Sequence, residues 1–243
     1  MSDYGARGLV GVLPPQANTT VEAELGVLLE PDVAMIVSRL TCFEEDSRAR
    51  LLGYFHGVEA AMRAFDAARP QVVLFACTGS TYLVGLDDED RRFAAQPVPI
   101  VSAARAVLKA LDALNAKRLA LVSPYPAWLT EACVAFWGAQ GRTVVAVRMP
   151  EGDRSDTRRI YDLGSAQALK EIQALADAKA DCILVTGTGM PSLAAIAKAR
   201  TRVPVLSSNL CLAWAAHREP SLHAWLSSDA PWRARLAMRF PTL

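Results

Sequence analysis

The chain holds no CxxC pair, no apolar run near the roughly 20 residues that span a bilayer, and almost no net charge. Each absence excludes a class. Five cysteines (Cys42, Cys77, Cys133, Cys182, Cys211) are an odd, scattered set, so neither a zinc ribbon nor a disulfide scaffold is expected. Three histidines (His56, His217, His223) have no spacing that places a metal cluster, and the last two stand six apart in HREPSLH. Lys and Arg total 26 against 25 Asp and Glu, a net +1, which argues against a nucleic-acid binder held by phosphate contacts. The opening MSDYGARGLVGVLPP lacks the layout of a signal peptide, so a cytoplasmic protein without a membrane partner is expected.

Hydrophobic residues make up 52% of the 243, enough for a real core and too many for a disordered chain. Short apolar runs occur at 9–13, 33–37, 72–76, 98–101, 119–122, 144–147, 182–185 and 203–206. Most are continuous rather than alternating, as expected of parallel strands covered on both faces. Between them lie helical stretches at 21–30, 48–67, 103–115, 129–140, 165–178 and 192–200. This alternation predicts an α/β fold with parallel sheets and right-handed crossovers.

An internal echo sharpens that reading. VVLFACTG at 72–79 is followed by PVPIVSA, and CILVTGTG at 182–189 is followed by RVPVLSS. GLVGVLPPQANTTVEAEL likewise has a partner in RLALVSPYPAWLTEACV, and Cys77 aligns with Gly187. The pattern predicts two similar lobes, each a short parallel sheet flanked by helices, related by a pseudo-twofold with the site between them. The lobes are expected to comprise 1–104 plus 207–243, and 105–206. Ligands of open α/β sheets bind at the carboxyl ends of strands. Four turns fall there: 14–20, 77–81, 123–127 and 186–192. They are rich in hydroxyls and glycine and poor in charge, a lining that suits a carboxylate held by N–H groups and hydroxyls.

Cys77 ends a strand and opens the turn CTGST. A thiol there can have its pKa lowered by the helix dipole and neighbouring N–H donors; the alternative is a buried cysteine serving as a small hydrophobe. Cys42, Cys133, Cys182 and Cys211 are read as structural. Tyr125 is either a cleft hydroxyl or a packing aromatic. Asn18 is a helix cap or a carboxylate donor, with Thr19 and Thr20 as rival caps. Thr186, Gly187, Thr188 and Gly189 allow close backbone approach or form a tight turn.

The pieces GVLPPQANTTVE, FACTGS, the SPY turn, GMPSL and VPVLSSN, in that order over residues 8 to about 216, resemble the aspartate/glutamate racemase superfamily, nearest its maleate cis–trans isomerase and arylmalonate decarboxylase branch. That superfamily has two similar α/β lobes and two facing positions, one or both of which carry cysteine. The first matches Cys77; the second falls on Gly187. The resemblance implies that Cys77 is nucleophile or proton donor, and that Asn18, Thr78, Gly79, Tyr125, Gly187, Thr188 and Gly189 hold substrate carboxylates. Pro15, Val84 and Met190 would shape a second pocket. It further implies a small dicarboxylate or malonate-type substrate, no metal or organic cofactor, and a homodimer, common in the superfamily. Losing the second cysteine counts against amino-acid racemisation, which needs two acid/base groups. The expected reaction is isomerisation by thiolate addition. The alternatives are decarboxylation, with Cys77 protonating an enediolate, and a non-catalytic carboxylate-binding protein on the same scaffold.

Overall fold

The computed structural model describes residues 3–216 and 221–243; His217 lies outside the described residues. Eight strands form two four-stranded parallel sheets. The first holds β1 (Gly8–Leu13), β2 (Val33–Val37), β3 (Val72–Phe75) and β4 (Ile100–Ser102) in the order β2-β1-β3-β4. The second holds β5 (Arg118–Val122), β6 (Thr143–Arg148), β7 (Cys182–Val185) and β8 (Val205–Ser207) in the order β6-β5-β7-β8. The two orders are the same, so the echo in the sequence is a repeat of topology. The central strand β7 is buried throughout, the edge strands β2 and β6 are half-buried or exposed, and β8, at the opposite edge of its sheet, is buried.

Helices in chain order are α1 (Thr20–Leu28), α2 (Ser47–His56), α3 (Val58–Met62), α4 (Thr78–Val84), α5 (Leu86–Ala94), α6 (Ala103–Ala113), α7 (Ala127–Ala139), α8 (Ser165–Ala174), α9 (Leu193–Lys198), α10 (Ser208–Ala216), α11 (Leu222–Leu226) and α12 (Pro231–Arg239). Side-chain caps fix several starts. Asp46 accepts from the Ala49 N–H at 2.7 Å to open α2, and Ser102 accepts from Arg105 at 3.0 Å to open α6. The single helix expected over 48–67 is broken: Gly57 ends α2, and α3 continues into a 3-10 turn at Arg63–Phe65. Gly85, at φ +80°, separates α4 from α5, a conformation that glycine adopts without a Cβ clash. The terminal segment forms α11 and α12, with Trp225 and Trp232 buried.

Among the described residues, no helix is long and apolar enough to cross a membrane. No cluster of His, Cys, Asp or Glu among them is arranged to hold a metal ion.

Candidate active site

The central strands β1, β3, β5 and β7 end in four turns, and the turns of the two sheets face each other. Thr188 Oγ1 donates to the carbonyl of Ala76 at 2.8 Å, and Thr20 Oγ1 donates to that of Gly189 at 2.7 Å. The Tyr82 hydroxyl and Thr186 Oγ1 lie 2.6 Å apart. Between the turns is a cavity of about 40 Å³, lined by residues of all four and by α2. Pro15 and Asn18 come from the first turn; Cys77, Thr78 and Gly79 from the second. Tyr125 comes from the third, and Thr188 and Gly189 from the fourth. That volume has room for about three waters.

Eight of the eleven residues expected at the site line this cavity. Gly187, Val84 and Met190 do not. Met190 is fully buried in the core, so it shapes no pocket wall, and Val84 lies away from the cavity at the end of α4. Gly187 stands behind Tyr125. It has φ +88°, and a Cβ built on it would meet Tyr125 Oη and Ile160 Cδ1 at 3.0 Å and Pro124 Cγ at 3.2 Å. The position aligned with Cys77 is therefore already filled by its neighbours.

Asn18 takes the capping role and also spans the two lobes. Its Oδ1 accepts from the N–H groups of Thr20 and Val21 at 3.0 and 3.1 Å, capping α1, while its Nδ2 donates to Thr188 Oγ1 at 3.1 Å. One buried amide thus closes a helix and ties the lobes together. Thr188 is held further by Asn209, whose Nδ2 donates to the Thr188 carbonyl at 3.0 Å and to Glu24 Oε2 at 2.8 Å. Glu24 also accepts from the N–H groups of Ser192 and Leu193, at 2.5 and 2.9 Å. Burial pushes its carboxyl above the ordinary range, opposed by these donors.

Cys77 precedes α4 directly and is 3% exposed. Its Sγ lies 3.0 Å from Ser80 Oγ, which donates to the Leu51 carbonyl at 2.7 Å. Burial pushes the thiol above its ordinary value, while the Ser80 hydroxyl and the N–H groups of Ser80 and Gly79 pull it down. The lowered pKa expected from the helix terminus is thus overridden by desolvation in the closed cavity. Cys133 and Cys182 are buried and pushed up to about 11 and about 12 by the same cause, and burial likewise raises Cys211 well above its ordinary value. None of these three lines the cavity, which fits structural roles.

The site also holds residues that sequence reasoning did not reach. A strap between β6 and α8, with a 3-10 turn at Thr157–Asp162, lays Thr157, Arg158, Ile160 and Tyr161 against the cavity. Arg50, Leu51 and Tyr54 come from α2, and Leu129 from α7. Arg50 is fully buried and spent on the closure. It donates to Asp156 Oδ1 at 2.6 Å, to Thr157 Oγ1 at 3.1 Å and to the carbonyls of Glu44 and Glu45 at 2.9 and 3.0 Å. Burial alone would raise the Asp156 carboxyl, but hydrogen bonds from Arg158 and Arg50 outweigh it and hold the pKa at about 2. The strap and Arg50 lie in charged stretches without periodicity, and only Thr157–Tyr161 carries mixed hydroxyl and apolar character at sequence level.

The fold and the paired turns carry the signature of the Asp/Glu/Hydantoin racemase family, whose model matches residues 31–216; the chain belongs to that family. Within it, the chain is similar to the maleate isomerase of Pseudomonas putida (strain KT2440), at 27% identity over 231 residues covering 85% of this chain and 89% of that one. It also resembles the Nocardia farcinica maleate cis–trans isomerase, solved as a cysteine-to-serine mutant with a covalently bound succinylcysteine intermediate. That match has a TM-score of 0.73 and 25% identity, covering 86% of this chain and 91% of that one. A doubly substituted arylmalonate decarboxylase shares the fold, at a TM-score of 0.75 and 23% identity over 88% of this chain and 95% of that one.

Proposed function

We propose that the chain is a cofactor-independent cysteine isomerase that converts a small cis-dicarboxylate of the maleate class to its trans isomer. The observation that carries this reading is the Cys77 thiol at the tip of β3, lining a cavity whose other strand-tip groups are uncharged hydroxyl, amide and backbone donors. The similarity to maleate isomerases, one of them holding a succinylcysteine, supports the same chemistry.

In this reading the substrate carboxylates take hydrogen bonds from Asn18, Tyr125, Thr188 and the backbone of Thr78, Gly79 and Gly189, with Pro15 as an apolar wall. Cys77 reacts as its thiolate. Its proton leaves once to water, and Ser80 turns its hydroxyl from the Leu51 carbonyl to the sulfur. The thiolate adds to one alkene carbon, and the π pair moves toward the far carboxylate. The former double bond is then a single bond and rotates. Expulsion of the thiolate restores the alkene in the trans form. Donors fixed before the charge develops stabilise the intermediate without reorganising. The acting halves are residues 1–104 plus 207–243 and residues 105–206, and the assembly proposed is a homodimer.

The test is turnover of maleate, followed by the appearance of fumarate in the proton NMR spectrum, for wild type and Cys77→Ser. Turnover by wild type and its loss in the variant is the expected result. Carbon dioxide released from a malonate, without fumarate from maleate, would replace isomerisation by decarboxylation. Dicarboxylate binding that is unchanged in Cys77→Ser, with no turnover by either protein, would make the chain a binding protein.

A further inference from the structure

The proposed addition leaves an electron pair on the carbon next to the one that bears sulfur. A donor placed to protonate that carbon would hold the adduct long enough to rotate, and the repeat in the fold indicates where to look for one. Strands β3 and β7 occupy the same place in sheets of the same order, and Cys77 and Gly187 each stand two residues beyond the strand's last residue. The pseudo-twofold therefore pairs the Cys77 thiol with whatever fills the space in front of Gly187. Glycine contributes nothing itself. The atoms nearest to a Cβ built there are Tyr125 Oη and Ile160 Cδ1, both at 3.0 Å. The first is a hydroxyl, the second a methyl, so only Tyr125 brings a transferable proton to the place that mirrors the thiol.

We infer that Tyr125 is the second acid/base of the site, donating its phenolic proton to the carbanion carbon and taking a proton back before sulfur leaves. This rests on the isomerase reading above and deepens the role given there to Tyr125.

Three further observations agree. Tyr125 comes from the β5–α7 turn and lines the same cavity as Cys77, so thiol and phenol reach a substrate from different sheets. Its hydroxyl lies 2.6 Å from Thr78 Oγ1, on the residue that follows Cys77, which fixes the phenol relative to the sulfur. Burial raises the phenol well above its ordinary pKa, so it rests protonated and ready to donate. The other cavity phenols, Tyr54 on α2 and Tyr161 on the strap, also approach Cys77, and Tyr161 packs on Gly189, but neither supplies an atom among those nearest to a Cβ at Gly187.

The step balances. Sulfur forms a bond to one carbon, the π pair goes to the other, and the O–H pair of Tyr125 remains on oxygen as its proton moves to that carbon. After rotation the phenolate removes a proton from the same carbon, the C–H pair rebuilds the double bond, and the C–S pair returns to sulfur. No oxidant or cofactor enters.

The experiment is steady-state kinetics on maleate for wild type and Tyr125→Phe, with thermal unfolding of both. The expected result is a kcat lowered by about 10² to 10⁴-fold, the range for a general acid, with KM within about threefold. A raised KM with kcat kept within about threefold would overturn the inference, because Tyr125 would then only hold substrate. Where Phe disturbs the fold, fluorotyrosine at position 125 keeps the hydroxyl and lowers its pKa. The alkaline limb of the kcat profile should then move to lower pH, and an unmoved limb overturns the inference. Absence of wild-type turnover on maleate is a different failure: it overturns the isomerase reading, and the acid role falls with it.

Discussion

Replacing Gly187 by cysteine would give the site a thiol at both strand tips, and the structure predicts that the chain resists it. Two costs add. The residue sits at φ +88°, where an L side chain costs roughly 1–2 kcal/mol. The new Cβ meets Tyr125 Oη and Ile160 Cδ1 at 3.0 Å and Pro124 Cγ at 3.2 Å, closer than relaxed packing allows, and overpacking costs about 1–3 kcal/mol. Ile160 can turn its terminal methyl, but the Tyr125 hydroxyl is held 2.6 Å from Thr78 Oγ1, so relief there strains or breaks that bond. Gly187→Cys should therefore lose about 2–5 kcal/mol of stability, read as a lowered urea midpoint in tryptophan fluorescence. Gly187→Ala should lose slightly less, because it carries the backbone and Cβ terms without the sulfur. Isomerase turnover should fall in both, since the displaced hydroxyl is the proposed acid. A Gly187→Cys protein as stable as wild type, within about 0.5 kcal/mol, would refute the reasoning: the turn would then have room for a side chain.

Other perturbations test the supports of the site. Glu24→Ala leaves the N–H groups of Ser192 and Leu193 and the Asn209 amide without their buried acceptor; at roughly 1–3 kcal/mol for each orphaned group, a loss of about 3–9 kcal/mol is expected in chemical denaturation. Asn18→Ala removes the α1 cap and the bond to Thr188, and should cost about 1–2 kcal/mol while raising KM for maleate. The Asp156 carboxyl is depressed to about 2, so its share of strap closure is complete above the ordinary aspartate range and is lost as pH falls through about 2. Proteolysis at the strap should accelerate in that acid window in wild type, and already at neutral pH in Asp156→Asn.

Much of the fold was legible because its parts are periodic. All eight strands lie within two residues of the apolar runs, since buried parallel strands need uninterrupted Val, Ile, Leu and Ala. The repeated CTG and TGTG turns located the cavity from sequence, because small hydroxyl residues are what the facing turns need in order to exchange hydrogen bonds. Elements set by tertiary context were not legible. Leu86–Ala94 is rich in charge, yet it forms α5, with Asp87, Asp88 and Glu89 in its first turn and Arg91 and Arg92 in its last, as the helix dipole favours. The strap has no apolar period, and its place over the site depends on Asp156 finding Arg50, 106 residues away. The thiol's pKa was misjudged for a related reason: the sequence shows the helix terminus that lowers it, whereas the desolvation that raises it exists only once the cavity has closed.

The chain's last helix completes one of its first. Arg235 of α12 donates to the carbonyls of Val27 and Leu28 at the end of α1, at 2.6 and 2.9 Å, and α10 packs against α1, β3 and β4. Those carbonyls therefore lack their protein partner until residue 235 has left the ribosome, 208 residues after Val27. At about 5–20 residues per second, the end of α1 waits some 10 to 40 seconds for this partner. Vectorial synthesis thus leaves the end of α1 to water until α12 arrives, and removing α12 should loosen a helix made about 200 residues earlier.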